Sequence, residues 1–370
     1  MSCGSCQIVD RGSPDGPGIS EETPPRPDRA RMASSATRAH HLRVLAFALA
    51  LLVFVGGGLL GTAHDIKSYA LFRGFRPIQI PSWITERATV RTIWVSSSAI
   101  GGRSQPVIVV LPPGYAQHPL HRYPVLYLLH GYPATPEAYL NVGGVATQED
   151  ILVANRSMNP LIMVIPHGTT GFFTDEEWAN GIQPGNDWET FLARDVVDAI
   201  DQRFRTIPIG GARAIGGLSS GGYGALNIAL HHPGEFRVIE SWSGYTYAPS
   251  ISSIFGTDPE RAAYNSPALY LPKVASALRA AHASFWFYIG AQDRELAENR
   301  EFTAELAAYR IRHHFFTVPG RHDWAAWRPN VPRALIVASG RMVRPTTLGA
   351  GERSPSVKAP LRGSGHQAHA

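Results

Sequence analysis

Ala214-Ile215-Gly216-Gly217-Leu218-Ser219-Ser220-Gly221-Gly222-Tyr223-Gly224-Ala225-Leu226 is the stretch on which the reading of this chain turns. An apolar run ends at Leu218, and a helical pattern of small residues spans 221–231. Between them lies Gly217-Leu218-Ser219-Ser220-Gly221, a Gly-x-Ser-x-Gly centred on Ser219. Two glycines flanking a serine let a strand and a helix pack closely around a sharp turn. Such a turn holds the hydroxyl exposed above a sheet, at a helix amino terminus and in a strained backbone conformation. Ser219 is therefore the candidate nucleophile. Ser220 has Leu218 two positions before it, so it is no second centre, and its side chain is read as incidental.

Outward from this turn, apolar runs alternate with helical patterns. Strands are expected at 90–95, 106–111, 124–129, 161–165, 214–218, 236–241, 285–289 and 314–318. Several are continuous apolar runs, as strands covered on both faces require. Helices are expected at 189–204, 272–282 and 297–312, with Pro272 in the first turn of its helix, where a missing N–H costs nothing. This order predicts an α/β architecture. Its central sheet is mostly parallel with helices on both faces, and its first two or three strands are antiparallel.

A serine hydroxyl needs a neighbouring base to attack at neutral pH. Of fifteen histidines, His322 lies in Val318-Pro319-Gly320-Arg321-His322-Asp323-Trp324, directly after the last expected strand. Loops at the carboxyl ends of parallel strands are where such a sheet gathers its reactive groups. An acid that orients the base is expected between the two in the chain. Asp293 closes the apolar run Phe285-Trp286-Phe287-Tyr288-Ile289-Gly290-Ala291-Gln292-Asp293; Glu295 is the second candidate, and Asp323 is expected to point away from the His322 ring. Two backbone N–H groups are needed for the developing oxyanion. They are assigned to Ser220 and to Tyr132, after the run Tyr127-Leu128-Leu129-His130-Gly131. His130 is read as a residue that fixes this loop. The loop 171–187 carries Phe172, Phe173 and Trp178 with four acids and is expected to border a cleft. Trp324 and Trp327 are read as packing their helix.

Leu111-Pro112-Pro113-Gly114-Tyr115, the Tyr127–Gly131 run, Trp188-Glu189-Thr190-Phe191-Leu192, the Ser219 turn and Gly320–Trp324 together resemble a serine esterase family. That family includes esterase D, enterochelin esterases, feruloyl esterases and the antigen 85 mycolyltransferases. The resemblance covers about residues 90–341 and implies the α/β-hydrolase fold, with Ser219, Asp293 and His322 as a triad and Tyr132 and Ser220 as oxyanion amides. It implies no cofactor and no metal. The Trp188 segment leans towards antigen 85. That branch, however, carries an Asp before the Gly of the first oxyanion loop, an Arg soon after it and a Glu as triad acid. Here the positions read His130-Gly131-Tyr132-Pro133-Ala134, and Asp293 fits the esterases.

The remaining features concern placement. Residues 44–61 form an uncharged apolar run that reaches roughly 27 Å as a helix, enough to cross a bilayer's hydrocarbon core. Arg26, Arg29, Arg31, Arg38 and Arg43 precede it, so the positive-inside rule places the amino terminus in the cytoplasm. The expected organisation is a cytoplasmic tail (1–43), one transmembrane signal anchor (44–61), a linker (62–84), an extracytoplasmic α/β-hydrolase domain (85–342) and a basic disordered tail (343–370). A cleaved signal peptide, with a start at Met32 and the small-x-small site Gly61-Thr62-Ala63, is the alternative. The formal charge of +5 belongs to the ends: residues 44–340 hold 23 Lys+Arg and 23 Asp+Glu. That argues against a nucleic-acid-binding core, which should carry a basic patch of its own. The two cysteines, Cys3 and Cys6, sit in the amino-terminal tail, so the domain forms no disulfide and no four-cysteine zinc site. The expected activity is hydrolysis of a small-molecule or lipid ester by a membrane-tethered serine hydrolase. Acyl transfer to an envelope sugar or lipid is the rival. A non-catalytic surface binding protein on the same fold is the third reading, and the complete Ser219, Asp293 and His322 set argues against it.

Overall fold

The computed structural model describes residues 45–53, 69, 71–171 and 174–347. Its contacts divide the chain into two units, residues 1–66 and 67–370. In the first unit, residues 45–53 are helical with exposed side chains. No helix among the described residues is long and apolar enough to cross a membrane. The rest of the expected anchor (44 and 54–61) and the tail 1–43 with both cysteines lie outside the described residues, as do Phe172, Phe173 and 348–370.

The second unit is built on strands β1 (Thr89–Ser96), β2 (Ser104–Leu111), β3 (His121–Arg122), β4 (Val125–Leu129), β5 (Ile162–Pro166), β6 (Arg213–Leu218), β7 (Val238–Trp242), β8 (Ser284–Gly290), β9 (Arg312–Val318) and β10 (Thr346–Thr347). Eight of them form one sheet in the order β1-β2-β5-β4-β6-β7-β8-β9. β1, β2 and β5 pair antiparallel, and every pairing from β5 through β9 is parallel. The third main strand, β4, is thus a parallel member of the sheet rather than part of the antiparallel edge. Alternate side chains feed two cores. Val125, Tyr127 and Leu129 join a cluster with Trp188, Leu226, Leu271 and Phe302, whereas Leu126 and Leu128 join one with Val145, Trp324 and Leu335. This two-sided burial explains why β4 is an unbroken apolar run.

Three expectations need correction. The helix expected from Pro272 spans Pro267–Ala280; Pro267 takes the first-turn position and Pro272 lies inside. The buried stripe Ala268, Leu271, Ala275 and Leu278 extends the packed face one turn further back than the proline suggested. The stretch expected as a linker (62–84) contributes packed residues, for Phe75 lies against the second core and Ile84 is buried. The expected tail (343–370) begins as structure: the Val343 N–H donates to Gly211 O, and β10 pairs with β3 through Thr346↔Arg122 and Thr347↔His121. A two-residue ribbon carries no hydrophobic period for a sequence reading to detect.

Candidate active site

β6 ends at Leu218 and the helix Ser220–His231 starts two residues on. Ser219 stands between them at φ 56°, ψ −126°, a conformation that costs a non-glycine residue energy. The surrounding backbone holds it there. A Cβ on Gly221 would sit 2.0 Å from Leu129 O, and one on Gly217 would sit 2.4 Å from Gly221 itself. Only glycines let β4, β6 and the helix approach this closely.

His322 and Asp293 reach the same point from the ends of β9 and β8. His322 Nε2 lies 2.8 Å from Ser219 Oγ, and Nδ1 lies 2.8 Å from Asp293 Oδ2. An ionised carboxylate only accepts, so Nδ1 carries the proton and Nε2 is free to accept one from the serine hydroxyl. The His322 side chain is 29% exposed and that of Asp293 is fully buried. Burial would raise the Asp293 carboxyl. The hydrogen bond of His322, the Glu295 N–H and the Ser243 hydroxyl outweigh it and hold Asp293 below the usual carboxylate range. Glu295 instead pairs with Arg294. Asp323 turns away, as expected: its Oδ1 accepts from the Ala325 and Ala326 amides and caps the helix Trp324–Trp327.

Gly131 brings the expected oxyanion loop against the nucleophile; a Cβ there would lie 2.9 Å from Ser219 Cβ and from Leu218 O. The Tyr132 N–H donates to Ser220 Oγ at 2.9 Å. The Ser220 side chain is therefore not incidental, which corrects the sequence reading: it occupies the donor assigned to the oxyanion. The Ser220 amide opens its helix and so has no acceptor within it. His130 fixes the loop. Its Nε2 accepts from the Gly168 N–H at 3.1 Å, Nδ1 donates to Gly131 O at 3.2 Å, and the His130 carbonyl accepts from Trp178 Nε1. That pattern needs a neutral ring, and burial pushes His130 down to about 4.

Ser243 was missed by the sequence reading. It is buried directly after β7 at φ 56°, its N–H donates to Tyr288 O, and its hydroxyl helps to hold the Asp293 carboxyl low. Trp327 Nε1 donates to Ser243 Oγ at 3.0 Å, while the Trp327 ring stands edge-on to His322 at 5.1 Å. The signal available was its place at the carboxyl end of a central strand in Ser241-Trp242-Ser243-Gly244.

Cavities open on both sides of Ser219. One of about 450 Å³ is mostly apolar, lined by Phe75, Pro133, Leu218, Trp324 and Trp327 together with Ser219 and His322. Another of about 390 Å³ is polar, with Asp175, Glu177, Tyr245, Tyr247 and Glu298 around Ser219 and Ser220. A third, of about 310 Å³, runs past Ser220 and Tyr132 to His167 and Trp178. The loop 171–187 thus borders the cleft through Asp175, Glu177 and Trp178. Glu177 accepts from the Tyr245 hydroxyl, and burial together with the Asp175 charge pushes it up to about 9, so it is protonated at neutral pH. Trp324 and Trp327 pack the second core, as expected, and also wall the apolar cavity. Among the described residues no group of three or more His, Cys, Asp or Glu side chains is placed to hold a metal ion.

A protein family described as "Putative esterase" matches residues 97–338. An esterase of Mycobacterium tuberculosis (strain H37Rv) is 28% identical over 282 residues, covering 69% of this chain and 59% of its own length. The chain therefore spans about three-fifths of that relative. The MPT51 antigen of Mycobacterium leprae is 26% identical over 333 residues, 82% of this chain and 96% of its own. Among solved structures, a ferulic acid esterase superposes with a TM-score of 0.61 at 26% identity, covering 70% of this chain and all of that one. The structure of Mycobacterium tuberculosis MPT51 superposes at 0.54 with 20% identity, covering 69% and 100%, a likeness of fold alone.

Proposed function

The chain belongs to the esterase family matched over residues 97–338, and from that premise we propose that it is a serine hydrolase of carboxylic esters working through an acyl-enzyme. The observation that carries the reading is the unbroken series Ser219 Oγ, His322 Nε2, His322 Nδ1, Asp293 Oδ2, with both contacts at 2.8 Å. His322 takes the hydroxyl proton as Ser219 Oγ bonds to the ester carbonyl carbon, and the carbonyl π pair moves onto oxygen. Asp293 stabilises the imidazolium. The oxyanion is received by the Ser220 and Tyr132 amides once the Ser220 hydroxyl turns away from the latter, each donor contributing roughly 2.7–4 kcal/mol in the transition state. The tetrahedral adduct collapses, the C–O bond to the alcohol breaks, and His322 returns the proton to the departing oxygen. Water, deprotonated by His322, then releases the acid by the same steps in reverse.

Ser219→Ala is expected to lower turnover of p-nitrophenyl acetate by about 10⁴–10⁶-fold and to abolish fluorophosphonate labelling. Full activity in that variant defeats the assignment. Acyl transfer is a second reading, supported by the separate apolar and polar cavities that meet at Ser219, one for each partner of a transfer. Product analysis with an added alcohol acceptor separates it from hydrolysis. The domain's place outside a membrane remains part of the proposal, supported by the uncharged run 44–61 and the arginines before it. Protease accessibility of the domain in intact cells tests that placement.

A further inference from the structure

The apolar cavity beside Ser219 is lined in part by a segment that precedes the family-matched region. Residues 97–338 match the family, yet Arg73 and Phe75 line this cavity with Ser219, His322, Trp324 and Trp327. The segment is held in place by specific contacts. The Arg328 guanidinium lies over the Phe75 ring, 5.0 Å from its centroid, and its Nη2 donates to Arg76 O. The Phe75 N–H donates to Phe72 O at 2.9 Å. Ile78 fills the space above Gly144, where a Cβ would come within 2.5 Å of Ile78 Cδ1. Phe75 itself packs against the second core.

We propose that Phe75, clamped by Arg328, forms the wall of the leaving-group side of the site and selects esters whose alcohol part is apolar, alkyl or aryl. This rests on the hydrolase reading above. The side is fixed by proton transfer. The oxygen that leaves must come within hydrogen-bond reach of His322 Nε2, and His322 lines the apolar cavity but not the polar one. An alkyl or aryl group attached to that oxygen then lies between Phe75 and the Trp324 and Trp327 rings, where each methylene leaves water for an apolar surface. The acyl part extends to the polar side, past Ser220 and Tyr245.

Unbranched alkyl alcohols differ little as leaving groups, so a length series isolates binding. For the full-length protein, kcat/KM is measured on ethyl acetate, hexyl acetate and ethyl hexanoate. Phe75→Ala is expected to lower the hexyl-to-ethyl acetate ratio about tenfold, the scale of a few methylenes losing one apolar wall, and to leave the hexanoate-to-acetate ratio where it was. Arg328→Ala, which alters the clamp and not the cavity lining, is expected to lower the same alcohol ratio about threefold. Fluorophosphonate labelling of Ser219 in each preparation reports that the site is assembled. Labelled Phe75→Ala and Arg328→Ala proteins with an unchanged alcohol ratio, or with the acyl ratio moving instead, overturn the role of Phe75 while the hydrolase reading stands. A wild-type protein that neither labels nor cleaves any of the three esters overturns both.

Discussion

Asp293 and Glu240 are both buried carboxyl groups of one sheet, the first in the turn after β8 and the second inside β7, yet they come to opposite charge states. Burial pushes both upward. Asp293 is met by His322 Nδ1, the Glu295 amide and the Ser243 hydroxyl, and stays below the usual carboxylate range. Glu240 receives one indole N–H, from Trp242 at 3.2 Å, and its Oε1 has no hydrogen-bond partner among the described residues. Burial therefore prevails over that bond and the attraction of Arg341, and Glu240 rises to about 8. The donors aimed at a buried carboxylate, set against the depth of its burial, decide whether it can serve as a negative charge.

The comparison breaks first at Asp293. Asp293→Asn leaves the shape of the site but lets the amide compete for the wrong His322 tautomer, so kcat for an ester substrate is expected to fall about 10⁴-fold. A fall of less than tenfold means that the charge of Asp293 is unimportant. Ser243→Ala is the next test, because it removes one donor from Asp293 without touching the reacting atoms. The carboxyl then rises, and the acid side of the pH profile of kcat/KM moves to higher pH. kcat is expected to drop roughly tenfold with KM little changed, the cost of one hydrogen bond to a charged group. A uniform loss with an unmoved profile assigns Ser243 to packing alone.

The smallest effect on activity belongs to Glu240→Gln, expected to leave kcat within about twofold because no reacting atom senses it. Its stability carries the signal. From the ordinary glutamate value of 4.5 up to about 8 the folded wild type keeps a proton that the unfolded chain has released. Wild-type stability accordingly falls as pH rises through that window, and the loss is complete above it. Gln has no such dependence and can still accept from Trp242. The melting temperature of Glu240→Gln is expected to exceed that of wild type by on the order of 5 °C at pH 9, with a smaller margin at pH 5. A constant margin across pH removes the titration of Glu240 as the cause.

What could be read from the sequence follows the range of the interactions involved. The inner strands β4 to β8 were legible because each is a run of residues buried on both faces, whereas the edge strands β1 and β9 are largely uncovered and showed only their β-branched and aromatic residues. Ser219 was legible because its flanking glycines serve contacts a few residues away. His322 and Asp293 were legible through a rule of place, since each follows a strand of the parallel sheet. Ser243 was not, because its function comes from Trp327 and Asp293, which reach it across the fold rather than along the chain; Trp327 is 84 residues away. Phe75 and the bond from Tyr132 to Ser220 Oγ escaped for the same reason. A phenylalanine before a domain and a second serine after a nucleophile carry no periodic or spacing signal of their own.

The order of the strands has a consequence for how this chain acquires activity. Ser219 follows β6, Asp293 follows β8, and His322 follows β9, with β7 between the first two, and the Ser219–His322 contact spans 103 residues. Four neighbouring strands must dock in register before that contact exists, and closures of such length come late in folding and slowly. A nascent chain that has not yet released β9 from the ribosome carries its serine but no base. On the proposed mechanism, covalent capture of Ser219 is a clock for the last stage of folding, and its rate of appearance after dilution from denaturant times the arrival of β9 at the sheet edge.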